Sequence, residues 1–504
     1  MYTYEWHDAH IQGTHTANDC TGIRKPCPVL ITIMNTMPSL SKLVQQAQTH
    51  DSFTFNWAVT NSTSQSHLVD LFFIAWTLIG KNPNDYMSKW HAAYAENKEL
   101  AMRLLFWMRD IRWGAWVRDA FNYIYHQLSK EDKEHYAQYI PTYWRWKDVF
   151  EQAALDFKPF ENMIIDYFHN DHSDDWLFCK WFPRKWPVFE AVRKALKITP
   201  KQLRKSIVEG SKTVEQQMSA NQWNEIKFEH VPSKAMAKYS NAFDMHEHIR
   251  FQKFLSDKPE QVKSGTLYPA DLYRSMKQGK DEKVIQAQWN NLPNFIQSDK
   301  TFLPMIDISG SMTRSYWSNE TGITPIMNSI WLGIYLAERN KSLFKNAFLS
   351  FSSQAKMHYI EWDDICSKFK YVENDPTMWY TTNFKAAFNL ILQTAVDNKL
   401  SNDDLPDYII VLSDMEFDQA SQYKTNFEVI KQDFKDYGYE MPKLIFWNLN
   451  WRIWNVPVTI NDQGVALVSW YSPAIMKSVL NSKVVTAYDV MMETLDNERY
   501  KCII

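Results

Sequence analysis

Glycine is scarce in this 504-residue chain, at 12 residues. That argues against a loop-rich all-β design and against nucleotide binding through glycine-rich loops, which need backbone that only glycine adopts freely. There are five cysteines, Cys20, Cys27, Cys179, Cys366 and Cys502. They are dispersed, odd in number and lack a Cys-x-x-Cys pair, which excludes a disulfide framework or a zinc ribbon and points to a reducing compartment. The net charge of −3 supplies no global field toward nucleic acid or anionic membrane, so any basic surface is local. Long apolar runs are also missing. The longest, Leu68 to Ile79, contains Asp70 and is too short to span a bilayer. The first twenty residues hold no apolar targeting core, and Cys502 stands third from the end where a prenylation box needs it fourth. The expectation is a soluble cytoplasmic protein with no membrane partner.

Aromatic residues are plentiful at 15%, with 22 Trp. From about residue 65 to 295 apolar residues recur at helical spacing. Phe121, Ile124, Tyr125 and Leu128 form one stripe, and Leu104, Leu105, Trp107, Met108 and Ile111 form a broad apolar face. Pro141, Pro183, Pro187, Pro200 and Pro232 punctuate the helices. Successive helices with short connections predict a helical-repeat, HEAT-like region. From about residue 298 the pattern changes. Strands are expected at Thr301 to Ile306, Ala347 to Ser352, Tyr408 to Leu412, Lys443 to Asn448 and Val465 to Trp470. Helices are expected at Pro325 to Glu338, Phe384 to Ala395 and Tyr423 to Asp436. Alternating strand and helix implies a Rossmann-like α/β unit with a mostly parallel sheet. The chain therefore divides into a tail at 1–30, a helical domain at 31–295 and an α/β domain at 296–504. His7, His10, His15, Cys20 and Cys27 fit no zinc spacing and read as part of the tail.

Asp307-x-Ser309-x-Ser311 follows the first strand of the second half, with Gly310 helping the loop to turn. Thr382 opens a helix after a long loop. Asp414 ends the Tyr408 strand. All three places fall at the carboxyl ends of the expected strands, where α/β folds bind ligands. Oxygen donors of this kind suit a hard cation, Mg²⁺ or Mn²⁺. The plainer alternative is that Ser309, Ser311 and Thr382 only cap helices. Such a cation keeps an open position that an acidic group of a protein partner can fill. Hydrolysis would also need a base. The nearest histidine is His358, and Asp418 is expected to cap a helix starting near Gln419.

These loops resemble the metal-ion-dependent adhesion site of von Willebrand A domains. The second half is similar to the von Willebrand A domain of the TROVE group, which includes the Ro autoantigen. A nearer resemblance is to domain-of-unknown-function family 2828, of eukaryotes and large viruses. It is carried by Asp307 to Met312, Thr382-Asn383-Phe384, Val411 to Asp418, Phe446 to Leu449 and Gly464 to Ser469. In the helical half it is carried by Arg109 to Arg112, Trp144 to Asp148, Lys180 to Pro183 and Val231 to Lys234. The resemblance implies a helical region that binds structured RNA, and it implies a cation pair for Asp148 in the helical core. One departure bears on RNA. Where the family continues with Gly and basic residues after Arg112, this chain reads Trp113-Gly114-Ala115-Trp116.

Residues 180 to 212 hold ten Lys and Arg against two Glu. Lys180, Arg184, Lys185, Arg193, Lys194, Arg204 and Lys205 are the candidates for gripping RNA phosphates, with Trp181, Phe182 and Trp186 interleaved. The alternative is a solvated helix face. Trp144, Trp146 and Trp186 are expected to anchor the core. Three functions follow: a non-catalytic, metal-dependent binding or scaffold protein; an RNA-binding ribonucleoprotein component; or a metal-dependent phosphohydrolase. The first is favoured, and the hydrolase ranks last because no base is evident.

Overall fold

The computed structural model describes residues 52–54, 56–169, 176–211, 213–296, 299–313, 324–374, 381–420, 424–449, 456–469 and 486–504. The expected N-terminal tail, with its histidines, Cys20 and Cys27, lies outside the described residues, as do Lys212 and Trp470. A short antiparallel hairpin, β1 (Ser52–Phe53) and β2 (Val59–Thr60), precedes the helices. The helical region then runs from the His67–Ile74 helix to the Glu282–Asn290 helix. The stripe of Phe121, Ile124 and Tyr125 lies on the Asp119–Gln127 helix, and all three are buried.

The Lys98–Arg109 helix starts where the Asn97 side chain accepts from Leu100 N at 2.9 Å, and it is buried from Leu100 to its end. One of its two buried arginines, Arg109, bonds Asp148, which also takes Arg118 Nε at 3.0 Å. The expected cation pair of Asp148 is therefore present. The chain leaves the helix at Asp110, whose carboxylate turns to Arg499 and accepts from Tyr500 Oη at 2.8 Å. Both carboxylates are fully desolvated, and such charges are tolerated only when paired. Asp110 thereby pins the C-terminal segment to the helical region.

The second region holds a six-stranded sheet: β3 (Phe302–Asp307), β4 (Ala347–Phe351), β5 (Ala355–Tyr359), β6 (Tyr408–Ser413), β7 (Lys443–Asn448) and β8 (Val465–Ser469). Its order is β5-β4-β3-β6-β7-β8, and every pairing is parallel except β4 with β5. β3, β4, β6 and β8 are buried along their whole length, so they read as apolar runs. β5 is the strand that the apolar pattern did not announce. It is a mostly exposed edge reached by a tight turn, so nothing required it to be apolar. The expected helices are observed as Pro325–Arg339, Phe384–Asp397 and Asn426–Asp436. Strand order reverses between β3 and β6. In open α/β sheets the carboxyl ends of two strands at such a reversal border the ligand-binding crevice.

One apolar core runs through both regions, from Leu68 to Ile503. The His67–Ile74 helix packs on β8, and the hydroxyl of Ser469 accepts from Trp76 N at 3.4 Å. Among the described residues no helix is long and apolar enough to cross a membrane. The Pro325–Arg339 helix meets the sheet at Gly333, where a Cβ would stand 2.4 Å from Ile306 Cγ2 on β3. Gly333→Ala should cost about 1–3 kcal/mol, the usual penalty of overpacking a filled core. Urea unfolding would measure it, and an unchanged midpoint would refute this close approach.

Candidate functional site

The crevice collects the three loops singled out in the sequence. Asp307 is the last residue of β3 and is fully buried. One of its oxygens accepts from Ser309 N at 2.9 Å, and the other accepts from the Ser413 hydroxyl at 2.5 Å. Both oxygens are thus oriented, one by its own loop and one by the end of β6. The Ser309 and Ser311 hydroxyls come within 3.1 Å of each other. Ser309, Thr382 and Asp414 are buried, and Ser311 is half-buried.

The loops are braced by backbone hydrogen bonds. Ile308 N donates to Phe351 O at 3.0 Å, tying the first loop to β4. Asn383 N donates to Ser352 O at 2.8 Å, and Asp418 N donates to Thr382 O at 2.8 Å. The second loop is therefore fixed to both β4 and the third loop. Asp414 Oδ1 accepts from Glu416 N at 3.1 Å, closing a turn around that carboxylate. Asn383, not Thr382, caps the following helix by accepting from Ala386 N at 3.0 Å. Asp418 does not start a helix at Gln419. The helix begins at Asn426, capped by Thr425, and the Asp418 carbonyl accepts from Asn426 Nδ2 at 3.0 Å.

Burial, with Asp414 nearby, pushes the Asp307 carboxyl up to about 7, against the hydrogen bonds from Ser309 and Ser413 that favour its charge. Two carboxylates sharing a dry crevice repel each other, and a cation relieves that repulsion. The donor set fits a small hard ion. Adjacent oxygens around octahedral Mg²⁺ stand roughly 3 Å apart, from ligand distances of about 2.0–2.1 Å. The two serine hydroxyls have that spacing, which also suits a hydrogen bond between them. Among the described residues no group of three or more His, Cys, Asp or Glu side chains is placed to hold a metal. Hydroxyls with two carboxylates are a different donor set.

Sequence reasoning missed three contributors. Ser413 grips Asp307, and its place beside Asp414 on the strand was the available clue. Glu416 is a third carboxylate in the same loop and is buried. The β1–β2 hairpin covers the Met415–Asp418 segment: Thr54 Oγ1 donates to Phe417 O at 2.7 Å, and Asn56 Nδ2 donates to Glu416 O at 2.9 Å. No local signal links positions so distant in sequence. His358 belongs elsewhere, on β5, where Nε2 meets Ser350 Oγ at 2.6 Å.

Several of the basic candidates have acidic partners. Lys180 Nζ pairs with Glu215 at 3.1 Å, Arg193 with Glu190 at 2.8 Å and Lys205 with Glu209 at 3.6 Å. Arg204 lies over the Phe189 ring, while Arg184, Lys185 and Lys194 are exposed. Trp144 is buried and Trp146 packs against the core. Trp186 does not; it is 79% exposed. It sits between Lys185 and Pro187 in a turn ahead of the Val188–Ala195 helix, whose own inward face is supplied by Val188, Phe189 and Val192.

Residues 302–501 match the family model described as "Domain of unknown function (DUF7788)", and residues 184–301 match "Domain of unknown function (DUF2828)". The resemblance to family 2828 thus holds over the later helices, while the sheet matches a second family. The chain is 25% identical to "Uncharacterized protein L728" of Acanthamoeba polyphaga mimivirus, over 88% of this chain and 87% of the relative. It is also similar to the crystal structure of the Deinococcus radiodurans Ro (RSR) protein, at 13% identity and a TM-score of 0.39, covering 88% of this chain and 95% of that one.

The raised Asp307 pKa has a definite sign. Between about pH 4, where an unfolded Asp ionises, and about 7, the folded chain keeps a proton that the unfolded chain has lost. Without metal, stability therefore falls as pH rises through that window. Asp307→Asn, which keeps the oxygen facing Ser309 N, should remove this part of the slope. Thermal melts in chelator from pH 4.5 to 8 test it, and parallel slopes for the two proteins would contradict it.

Proposed function

We propose that this chain is a non-catalytic binding or scaffold protein. Asp307, Ser309, Ser311, Thr382 and Asp414 hold Mg²⁺ or Mn²⁺, and the ion keeps a position for a carboxylate of a protein partner. The observation that carries this reading is the 3.1 Å approach of the Ser309 and Ser311 hydroxyls beside an Asp307 whose oxygens are both already oriented. A bound cation would supply charge to attract the partner's carboxylate. The chain's own residues orient the donors and exclude water. A role in binding is favoured over hydrolysis because His358, the histidine nearest the three loops in sequence, lies on β5 and is engaged with Ser350.

Calorimetric titration of Mg²⁺ and Mn²⁺ should give one site per chain. Ser311→Ala, at the open edge of the crevice, should weaken it by about tenfold or more, as perturbing a metal's ligand shell commonly does. Acetate should then lower the water-proton relaxivity of the Mn²⁺ complex by displacing bound water. Equal affinity in the variant would sink the assignment of the ion to these loops. Relaxivity unmoved by acetate would remove the carboxylate-binding role.

A second reading has one observation in its favour. Exposed Trp186 stands beside exposed Arg184 and Lys185, a pairing of ring and cations that suits stacked bases and phosphates. If RNA binds there, affinity should fall steeply with salt and Trp186→Ala should weaken it; a salt-insensitive affinity argues against RNA.

A further inference from the structure

The helical region contains a cavity of about 800 Å³, far from the three loops in sequence and unlike them in charge. Five lysines line it: Lys180, Lys227, Lys234, Lys238 and Lys263. Two glutamates, Glu215 and Glu225, face them. Glu215 is already engaged by Lys180 at 3.1 Å. In a chain with a net charge of −3, this is a local concentration of positive charge in a surface hollow, whose concave wall focuses the field of the exposed Lys227, Lys234, Lys238 and Lys263.

The lysines are held in place. Lys263 Nζ donates to His230 O at 3.4 Å, and Lys238 Nζ lies 4.9 Å from the Tyr239 ring centre. Lys234 lies over the Trp116 ring at 4.9 Å, with Arg145 at the same distance from that ring. An acidic neighbour, Asp271, stands off at 3.9 Å. Half of the Lys234 side chain is open to the cavity, yet protein surrounds it, and burial lowers its pKa, only partly offset by Asp271. A cation in that position gains from an incoming anion.

The backbone adds to this. Ser233, Lys234 and Ala235 line the cavity and form the first turn of the Ser233–Asp257 helix. No side chain caps that helix start, since Pro232 occupies the cap. The free N–H groups of a helix's first turn and its dipole favour an anion. Lysines bind phosphate as point charges. The volume matches pockets that enclose small molecules, about 300–1,000 Å³.

We propose that this cavity binds a small polyphosphorylated anion, held by Lys227, Lys234, Lys238 and Lys263 around the start of the Ser233–Asp257 helix. Trp181 and Tyr239 line the same cavity and supply apolar surface for the rest of the ligand. The site is independent of the metal reading: one site collects cations between carboxylates, the other collects anions between lysines.

The probe is inorganic tripolyphosphate, titrated calorimetrically into the full chain in metal-free, low-salt buffer. One saturable site is expected. Lys234→Gln with Lys238→Gln should weaken it about tenfold or more, the usual loss for charge-assisted contacts. Lys341→Gln with Lys345→Gln removes equal charge from an exposed turn of the α/β region and should leave affinity unchanged. Circular dichroism confirms that each variant folds. No saturable binding overturns the proposal, as does equal weakening in both double variants. A ten-nucleotide RNA that binds without being displaced by tripolyphosphate, while tripolyphosphate itself does not bind, also overturns it.

Discussion

A carboxylate with no water around it has to be held by something, and Asp307 ends a strand that is buried along its whole length. The surrounding architecture can be read from that requirement. Ser413 reaches it from β6 because β3 and β6 are direct parallel neighbours in register, Ile306 beside Leu412. Ser309 N reaches it because the loop turns back at once. The Thr382 loop is secured to β4 on one side and to Asp418 on the other, which keeps a third wall on the crevice. The β1–β2 hairpin then closes over Glu416 and Phe417. Each contact makes sense as part of a rigid frame around a charge that is costly to leave alone. A frame of this kind is what a hard cation needs, because small ions demand donors in fixed positions.

The molecule carries a second set of desolvated charges that serves a different end. Arg109 with Asp148, and Asp110 with Arg499 and Tyr500, are ion pairs and hydrogen bonds made within the chain. They tie helices to one another and to the chain's last residues, and their role is structural. Around Asp307 the hydroxyls face each other and one of them, Ser311, remains open to solvent. The lysine-lined cavity of the helical region shows the same openness with the opposite charge.

Much of this was legible in the sequence because its causes are local or periodic. Buried strands read as apolar runs, helices as stripes such as Phe121, Ile124 and Tyr125, and the sheet's carboxyl edge placed Asp307, Thr382 and Asp414 near one another. What escaped had no local cause. The hairpin at residues 52–60 meets the Met415–Asp418 loop only through the fold. β5 is an exposed edge with no apolar signature. Trp186 was expected in the core on grounds of size, but the helix that follows it buries its own apolar face without it. The basic cavity draws Lys180 from one helix, Lys234 and Lys238 from another and Lys263 from a later turn, so the sequence showed only its first member.

The central claim is that the crevice is a cation site built from hydroxyls. Crystals of the chain grown with Mn²⁺ and measured near the manganese absorption edge would test it most directly. The account predicts an anomalous difference peak within bonding distance of both the Ser309 and Ser311 hydroxyls, at the carboxyl ends of β3 and β6. A crevice with these loops in place and no anomalous peak, or a peak held only by carboxylates elsewhere on the chain, would contradict it.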